Sequence, residues 1–348
     1  MVVLRDALKP LEDRQIWLAG GGDGVERDIS EVLLNFDVLA IGPGQPGRYL
    51  QPYLINGRES RAVNRFFHEV KRGDVVVLRV GVPSIRGVGI VEGDYDYNSA
   101  FDDIDGWNVA HIRRCRWVWR GRHEWKTAGL ASQSQTLVRS HRKEIHDWVG
   151  QLNIPKRELT RRLAKLPSQV GEKLSFEDLG DKLFAKGLGL EYIEDLFSNL
   201  RQIRRLTAWF EREDISEYET IAYVVVPVLL SLGWTQQTMA IQWNNIDLAL
   251  FSRLPRRSEN VQIVVEVKRI GRSLRTALKQ AKEYIEKLEL TACKGIVVTD
   301  GRRWEVHQRH GSQWDRLAYF DVARPMEEYP VLGYKGAVTC LHALMKAA

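Results

Sequence analysis

The feature that most constrains the fold is a short run of β-branched and apolar residues that ends in two charges. Residues 261–268 read Val-Gln-Ile-Val-Val-Glu-Val-Lys, a pattern that predicts a β-strand. Because successive side chains of a strand alternate between its two faces, Glu266 and Lys268 should project from the same side. Charges at the end of an apolar strand are costly to bury unless they have a partner or a ligand. The run therefore predicts a sheet strand with an ion pair or a binding site at its end.

The sequence around this strand predicts a mixed α/β domain. Ser216 followed by Glu219 has the pattern of a capping box, so we expect a helix that starts here and continues to Leu232, where Gly233 stops it. The other elements expected in chain order are a strand at about 241–251, the strand at 261–268, an amphipathic helix at 274–288, and strands at 295–299 and 304–308 joined by an Asp300-Gly301 turn.

Asp247 lies on the strand before Glu266 and is expected to sit beside it. Two carboxylates at close range repel each other unless a cation neutralises them. Mg²⁺ prefers such oxygen ligands and bridges to substrate phosphate, where it polarises the phosphate and lowers the pKa of a bound water. Lys268 can orient that water and stabilise the developing charge. Glu217, at the start of the preceding helix, can add a carboxylate, so the set predicts a Mg²⁺-dependent phosphodiesterase in which Mn²⁺ can substitute.

A Glu-x-Lys pair alone is typical of a surface ion pair, but the ordered set of residues is more specific. It resembles the PD-(D/E)XK nuclease superfamily, particularly the amino-terminal nuclease domain of type I restriction subunits and the Mrr-like restriction enzymes. The matching segments, within about residues 215–310, are Glu217-x-Glu219-Thr220, Pro227-Val228-Leu229-Leu230, Leu232-Gly233-Trp234, Asp247, Glu266-Val267-Lys268, Gln280-x-x-x-Tyr284 and Thr299-Asp300-Gly301-x-x-Trp304.

The resemblance implies an αβββαβ nuclease core. It implies that Asp247 and Glu266 are metal ligands and that Lys268 is the catalytic lysine. Gln280 and Tyr284 match the helix motif of the family and would face the site or the DNA backbone. Asp247 follows Ile246 where the named motif has proline, a variation that is common in the superfamily.

The first part of the chain, about residues 14–125, is predicted to be rich in short strands. The strand candidates are 15–19, 38–42, 74–80, 88–92 and 112–119, with a helix candidate at 63–71 that ends before Arg72-Gly73-Asp74. This region resembles an EVE domain of the PUA/YTH-like group. The segments that carry the resemblance are Ile16-Trp17-Leu18, residues 38–42, Phe66-Phe67, residues 71–77, residues 87–97 and Arg113-x-x-x-Trp117.

An EVE-like module implies the recognition of a modified base flipped out of a duplex. Such a base costs a few kcal/mol of stacking, which aromatic walls and edge hydrogen bonds must offset. Trp17, Tyr95, Tyr97 and Trp107 are the candidate walls and Asp94 is a candidate edge acceptor, although each aromatic residue taken singly is more typical of a core.

Composition and charge restrict the setting in which the chain works. The 348 residues contain only three cysteines, without paired or zinc-ligand spacing, and the amino terminus does not resemble a secretory signal. We therefore expect a cytoplasmic protein without a membrane segment. The net charge is +6, and residues 139–165 contain eight basic and three acidic residues, including Arg161 and Arg162 as candidate DNA contacts. A solvated helix face explains this cluster about equally well.

The sequence thus predicts an α+β, multidomain protein: an EVE/PUA-like β-barrel domain at 1–125, a helical connector at 126–214 and a nuclease domain at 215–348. The predicted function is that of a modification-dependent restriction endonuclease that acts on double-stranded DNA with modified bases. Because one active site cuts one strand, cleavage of both strands predicts a homodimer. Two alternatives stay open: a defence nuclease activated by a small nucleotide signal, and a non-catalytic reader of modified nucleic acid.

Overall fold

The chain is a mixed α/β protein with several sheets, and it forms two compact units, Met1–Val170 and Gly171–Ala348. The computed structural model describes residues 1–346 except 9, 25–26, 45–46, 51–53, 56–57, 126–129, 131–135, 169–172, 211 and 214. Within this described part of the chain, no helix combines the length and the apolar character needed to cross a membrane.

The described residues of the first unit form ten strands and five α-helices. The strands are β1 (Val2–Val3), β2 (Ile16–Gly20), β3 (Val38–Ile41), β4 (Leu54–Ile55), β5 (Arg58–Glu59), β6 (Val75–Val80), β7 (Ser84–Tyr97), β8 (His111–Glu124), β9 (Leu137–Arg139) and β10 (Asn153–Ile154). The helices are α1 (Leu4–Ala7), α2 (Ser30–Asn35), α3 (Arg61–His68), α4 (Lys143–Gln151) and α5 (Lys156–Thr160).

A six-stranded sheet organises this unit, in the order β3-β8-β7-β6-β2-β9. Every neighbouring pair is antiparallel except β2 and β6, which run parallel. Strand β6 reads Val-Val-Val-Leu-Arg-Val and is buried along its whole length, as expected for a central strand with both faces covered. The predicted strands of this region are therefore present, and β7 and β8 extend well beyond the predicted limits.

The segment predicted as a helical connector, 126–214, is divided between the two units. Strand β9 pairs with β2, and Ile145, Val149 and Ile154 contribute to the core of the first unit. The helices after residue 172 contribute to the core of the second unit. Apolar residues before the boundary between the units thus pack in the core of the first unit, and those after it pack in the core of the second.

In the part of the second unit that the structure describes there are six α-helices and eight strands. The helices are α6 (Phe176–Phe184), α7 (Leu190–Phe210), α8 (Glu217–Thr220), α9 (Val226–Leu230), α10 (Arg275–Lys287) and α11 (Ala337–Leu344). The strands are β11 (Met239–Trp243), β12 (Ile246–Phe251), β13 (Val261–Val267), β14 (Gly295–Thr299), β15 (Arg303–His310), β16 (Gln313–Asp321), β17 (Glu328–Tyr329) and β18 (Tyr334–Lys335).

These strands form one sheet in the order β11-β12-β13-β14-β15-β16-β18-β17. Strands β11, β12 and β13 are antiparallel neighbours, and β14 runs parallel to β13 after the crossover through α10. From α8 to β14 the chain therefore follows the predicted order of helix, three strands, helix and strand. The two faces carry separate apolar clusters: Val265 and Val267 face the α7 to α9 side, and Val264 faces α10.

The strand predicted at 241–251 is a hairpin. Strand β11 ends at Trp243, β12 begins at Ile246, and both intervening residues, Asn244 and Asn245, have positive φ angles of 50° and 71°. A two-residue turn with two positive φ values matches the twist of the flanking strands, and asparagine tolerates this conformation better than most residues. The Asn-Asn pair is the signal that distinguishes a hairpin from one long strand.

The helix before this hairpin begins at the predicted capping box. The Ser216 hydroxyl accepts from the Glu219 N–H at 3.2 Å, and the Glu219 carboxylate accepts from the Ser216 N–H at 2.8 Å. A π-helical segment, Ile221–Val225, joins α8 to α9. A Cβ at Gly301, in the β14–β15 turn, would lie 2.6 Å from Val224 Cγ1, so this turn requires glycine for close packing as well as for its φ of 82°.

Candidate active site

Two carboxylates meet where β12 and β13 pair. The register opposes Leu248 to Val265, which places Asp247 across from Glu266. One Asp247 oxygen accepts from the Val267 backbone N–H at 2.8 Å, and the other accepts from the Gln242 side chain at 2.9 Å. These two bonds fix the orientation of the Asp247 carboxylate on the sheet, and Asp247 lies beside Glu266 as the order of the strands predicted.

Glu266 is buried, with only 3% of the residue exposed. Burial raises its pKa from 4.5 to about 8, and the neighbouring Asp247 charge acts in the same direction. A carboxyl group in this state retains its proton at neutral pH unless a cation compensates the two negative charges. The surrounding protein therefore does not fully compensate the negative charge of the two carboxylates, whereas a positively charged ligand would.

Lys268 follows directly after β13 and is held at the edge of the same site. Its backbone N–H donates to the Thr299 carbonyl of β14 at 2.8 Å, so the neighbouring strand determines its position. Its ammonium lies 3.8 Å from a carboxylate oxygen of Glu217, at the start of α8. The capping box fixes this helix start and so places Glu217 beside Lys268, whereas the sequence analysis expected Glu217 to add a carboxylate to the metal or to a water.

Helix α10 supplies the remaining predicted residues of the site. Burial raises the pKa of Tyr284, and the charges of the nearby Glu266 and Asp247 contribute to the same rise. Gln280 lies one helical turn earlier on α10. Its side-chain oxygen is buried and has no hydrogen-bond partner among the described residues. A buried acceptor without a partner is costly and is frequently completed by a water, an ion or a ligand.

The donor set fits a hard divalent cation with few protein ligands. Asp247 and Glu266 are the oxygen donors that would hold such an ion. Across the described residues, no cluster of three or more histidine, cysteine, aspartate and glutamate side chains is placed to hold a metal. Mg²⁺ is commonly bound through one or two carboxylates, with water and substrate phosphate as the other ligands.

The predicted base-pocket residues are dispersed in the first unit. Trp17 is fully buried and its indole N–H donates to Asp74 at 2.8 Å, so it is part of the core of the sheet. Asp94 is exposed at the surface of β7. Tyr95 and Tyr97 lie around His111: the Tyr95 hydroxyl is 2.9 Å from Nδ1, and the two rings of Tyr97 and His111 are in edge contact at 5.6 Å.

Trp107 is the predicted wall residue that lines a cavity. This cavity of about 590 Å³ is also lined by Gly20, Ile41, Arg79 and Asn108. Trp17, Asp94, Tyr95 and Tyr97 are not among its lining residues, so the structure does not bring the five predicted pocket residues together.

The two predicted DNA-binding arginines differ in their environments. Arg161 donates to both oxygens of Asp37, which is fully buried, and to Glu158 at 2.9 Å. These bonds keep the Asp37 pKa low against the opposing effect of burial. Arg161 is therefore a structural clamp that compensates a buried charge, while Arg162 is exposed and remains available to a polyanion.

Sequence reasoning missed a basic segment beside the carboxylate pair. Residues 268–282 contain six basic and no acidic residues, and Arg272, Arg275 and Lys279 are exposed. These six basic residues are visible in the sequence, but the candidate DNA contacts were assigned to the larger basic cluster at 139–165. Gln242 was also missed, because its contact with Asp247 depends on the tight turn between β11 and β12.

Comparison with known proteins identifies one region of the chain. Residues 47–140 match the model of a family described as a domain of unknown function, DUF8426, which covers part of the first unit. A search of curated proteins finds no match. The matched family carries no described activity, so the function is inferred from the geometry of the site.

Proposed function

We propose that this protein is a Mg²⁺-dependent endodeoxyribonuclease with a PD-(D/E)XK-like core in its second unit and a modified-base reader in its first. The observation that carries the proposal is the Asp247–Glu266 pair, with Lys268, Glu217 and the helix of Gln280 and Tyr284 around it. A buried carboxylate placed directly opposite a half-buried one supports a cation site far better than a structural role.

In this proposal Asp247 and Glu266 hold the ion, which supplies charge compensation at the phosphate and acidifies a bound water. Lys268 is placed to hold the attacking water and to donate to the phosphate oxygens as negative charge develops. Glu217, with a carboxylate oxygen 3.8 Å from the ammonium, helps to hold Lys268 in position at the site. Tyr284 faces the carboxylates and can donate to a phosphate oxygen of the same strand.

The electrostatic surroundings support a nucleic-acid substrate. The basic segment 268–282 begins at the catalytic lysine and continues along α10. Exposed cations that neutralise phosphates release counterions, so such a segment favours a polyanion and makes binding sensitive to salt. Double-stranded DNA carrying a modified base is the substrate that accounts for both a phosphodiesterase site and a separate cavity-bearing unit. Cleavage of both strands would then need two active sites, as in a homodimer.

The proposal is tested by a cleavage panel with Mg²⁺. Linear and supercoiled DNAs with 5-methylcytosine, 5-hydroxymethylcytosine, glucosylated cytosine or no modification are incubated with the full chain. We expect cleavage of at least one modified DNA, at a rate that exceeds cleavage of unmodified DNA by an order of magnitude or more. Asp247→Asn and Lys268→Gln should lower the rate by at least a hundredfold, because each removes a group that acts on the reacting phosphate.

Matched variants make the result specific to the site. Glu259→Gln and Lys287→Gln remove one acid and one base from the second unit, outside the site, and should leave the rate unchanged. Full activity of both Asp247→Asn and Lys268→Gln on every DNA that the parent cuts would disprove the proposed chemistry. Equal cleavage of all DNAs would disprove the reader role and leave the nuclease.

A further inference from the structure

Helix α7 of the second unit carries a basic face outside the carboxylate site. Residues 196–210 of this helix contain three arginines and no acidic residue. Arg204 and Arg205 lie three and four residues after Arg201, a spacing that places all three side chains on one side of a helix. Ile203, which lies among them in the sequence, is buried in the core. The arginines therefore occupy the outer side of α7.

The positive charge of this face is not compensated within the second unit. All three arginines are exposed to solvent, and the Arg201 guanidinium carbon lies 5.7 Å from the centroid of the Phe176 ring. In the part of the chain that the structure describes, none of the three forms a salt bridge with a carboxylate. Other exposed cations of the unit do: Lys182 and Lys335 each have a carboxylate oxygen at 2.7 Å and 2.5 Å, respectively.

The stability of the helix does not explain this arrangement. Like charges three or four residues apart repel each other and destabilise a helix. No acidic residue lies three or four positions from any of the three arginines. Cations do favour the carboxyl end of a helix, but that effect is confined to the last turn, and the last turn of α7 contains no basic residue. An external anion accounts for the three arginines better than the helix itself does.

Trp209 extends the same face by one helical turn. It lies four residues after Arg205, and 54% of the tryptophan is exposed. Its ring contacts that of Phe210, with the centroids 5.3 Å apart, and its indole N–H has no acceptor among the described residues. An exposed indole can donate to a phosphate oxygen and pack against a sugar. At about 1.5 Å per residue, the face from Arg201 to Trp209 is about 12 Å long.

The chain keeps this face close to the carboxylate site. The Glu213 N–H donates to the Trp209 carbonyl at 3.3 Å, and three residues later Ser216 caps α8. Because consecutive Cα atoms are about 3.8 Å apart, the Trp209 carbonyl oxygen is at most about 16 Å from this cap. Glu217 follows the cap and lies 3.8 Å from Lys268. A duplex rises about 3.4 Å per base pair, so about five base pairs would span the distance from the face to the cap.

We propose that the α7 face formed by Arg201, Arg204, Arg205 and Trp209 binds the phosphate backbone of the DNA duplex that enters the carboxylate site. The inference rests on the proposed nuclease function, which supplies the duplex. Duplex DNA carries one negative charge per about 1.7 Å of its axis, so about seven charges lie along a strip of about 12 Å. Backbone contacts carry no base information, so the face should bind duplexes of any sequence.

The test is equilibrium binding of the full chain to a short unmodified duplex in EDTA, followed by fluorescence anisotropy at several salt concentrations. Each phosphate contact contributes about 0.9 to the slope of log K against log salt. The double variant Arg204→Gln/Arg205→Gln should therefore lower the magnitude of this slope by about 1.8, an about 60-fold loss of affinity at 0.1 M salt relative to 1 M. Trp209→Ala removes a neutral contact, so it should weaken binding without changing the slope.

The double variant Arg257→Gln/Lys335→Gln is the matched control. It removes two exposed cations from the same unit, each paired with a nearby carboxylate, and so makes the same change in net charge. It should bind the duplex like the parent. Urea unfolding accompanies each binding curve, and Arg204→Gln/Arg205→Gln should be at least as stable as the parent because it removes a repulsion between like charges.

Failure of the parent to bind the duplex, or an unchanged slope for Arg204→Gln/Arg205→Gln, would overturn the proposal. An equal loss of affinity in the control would overturn it as well, because net charge alone would then explain the effect. The same substitutions are measured on vesicles that contain phosphatidylserine and on the single strand, and a loss confined to either of these would assign the face to another partner. Since the assay contains neither a divalent metal nor a modified base, its outcome is separate from that of the cleavage panel.

Discussion

Replacement of Glu266 by glutamine should make the metal-free protein more stable and at the same time inactive. Glu266 is 3% exposed, and burial with the adjacent Asp247 raises its pKa from 4.5 to about 8. Between these two pH values the folded state binds a proton that the unfolded state has released. Stability is therefore greatest below pH 4.5 and is lost as the pH rises towards 8.

The size of the effect follows from the two pKa values. At 1.36 kcal/mol per pH unit, the loss reaches about 3 kcal/mol at pH 7 and about 4–5 kcal/mol above pH 8. Glutamine is neutral at every pH, and its amide can donate to Asp247 as the protonated carboxyl does. Glu266→Gln should therefore equal the parent near pH 4.5 and exceed its stability by roughly these amounts at higher pH.

The measurement is urea unfolding in EDTA at pH 5, 7 and 8.5, with hydrogen exchange of the β12 and β13 peptides to report on the second unit alone. Glu286→Gln, an exposed position on α10, is the control and should not change the pH dependence. Added Mg²⁺ should restore the stability of the parent at pH 8.5 and have no effect on Glu266→Gln. If the free energy of unfolding changes with pH in the same way for the parent and for Glu266→Gln, the environment assigned to Glu266 is wrong.

Three further changes test other parts of the structure. Gln280→Met removes a buried oxygen that has no hydrogen-bond partner among the described residues. In urea unfolding it should stabilise the metal-free protein by about 1 kcal/mol, and it should reduce cleavage. A loss of stability would show that this oxygen is hydrogen-bonded in solution. Ser216→Ala removes the cap of α8 and should cost about 1 kcal/mol, and cleavage should fall with it because Glu217 loses its fixed position; unchanged exchange of the α8 amides would contradict this. Asp37→Ala leaves Arg161 without its carboxylate and should cost roughly 3–5 kcal/mol in the first unit, as broken buried ion pairs do; a change below 1 kcal/mol would show that Arg161 is not a clamp.

The sequence predicted the second unit well because local signals and the global fold agree there. The capping box, the apolar run at 261–267 and the Asp300-Gly301 turn each specify an element by short-range chemistry, and all three are present. The carboxylate pair followed from strand alternation and a short connection. The hairpin at Asn244-Asn245 was not predicted although the Asn-Asn pair signals it, and the contact of Gln242 with Asp247 depends on the geometry of that turn, which local reasoning does not supply.

The cavity of the first unit was harder to predict, because the local sequence does not tell whether an aromatic residue belongs to the core or lines a cavity. Trp17 and Trp107 are the same residue type near strand ends, yet one donates to a buried aspartate and the other lines a cavity. Burial of an arginine is equally invisible in the sequence, since Arg79 and Arg122 look alike until the sheet is assembled. Only the tertiary arrangement separates a structural side chain from one that faces a ligand.

The buried carboxylates of this structure differ in how their negative charge is compensated, and the difference supports the proposed site. Asp37 is buried but its pKa is lowered, because Arg161 and a backbone N–H stabilise its charge. Glu305 is buried with a lowered pKa as well, because His307 and Arg316 lie beside it. Glu266 differs from both, because burial raises its pKa to about 8, the adjacent Asp247 adds to the rise and Lys268 only partly opposes it. The fold supplies a side-chain cation at hydrogen-bond distance from Asp37 and from Glu305, whereas beside Glu266 it places a second carboxylate, and this contrast supports the cation site proposed for Asp247 and Glu266.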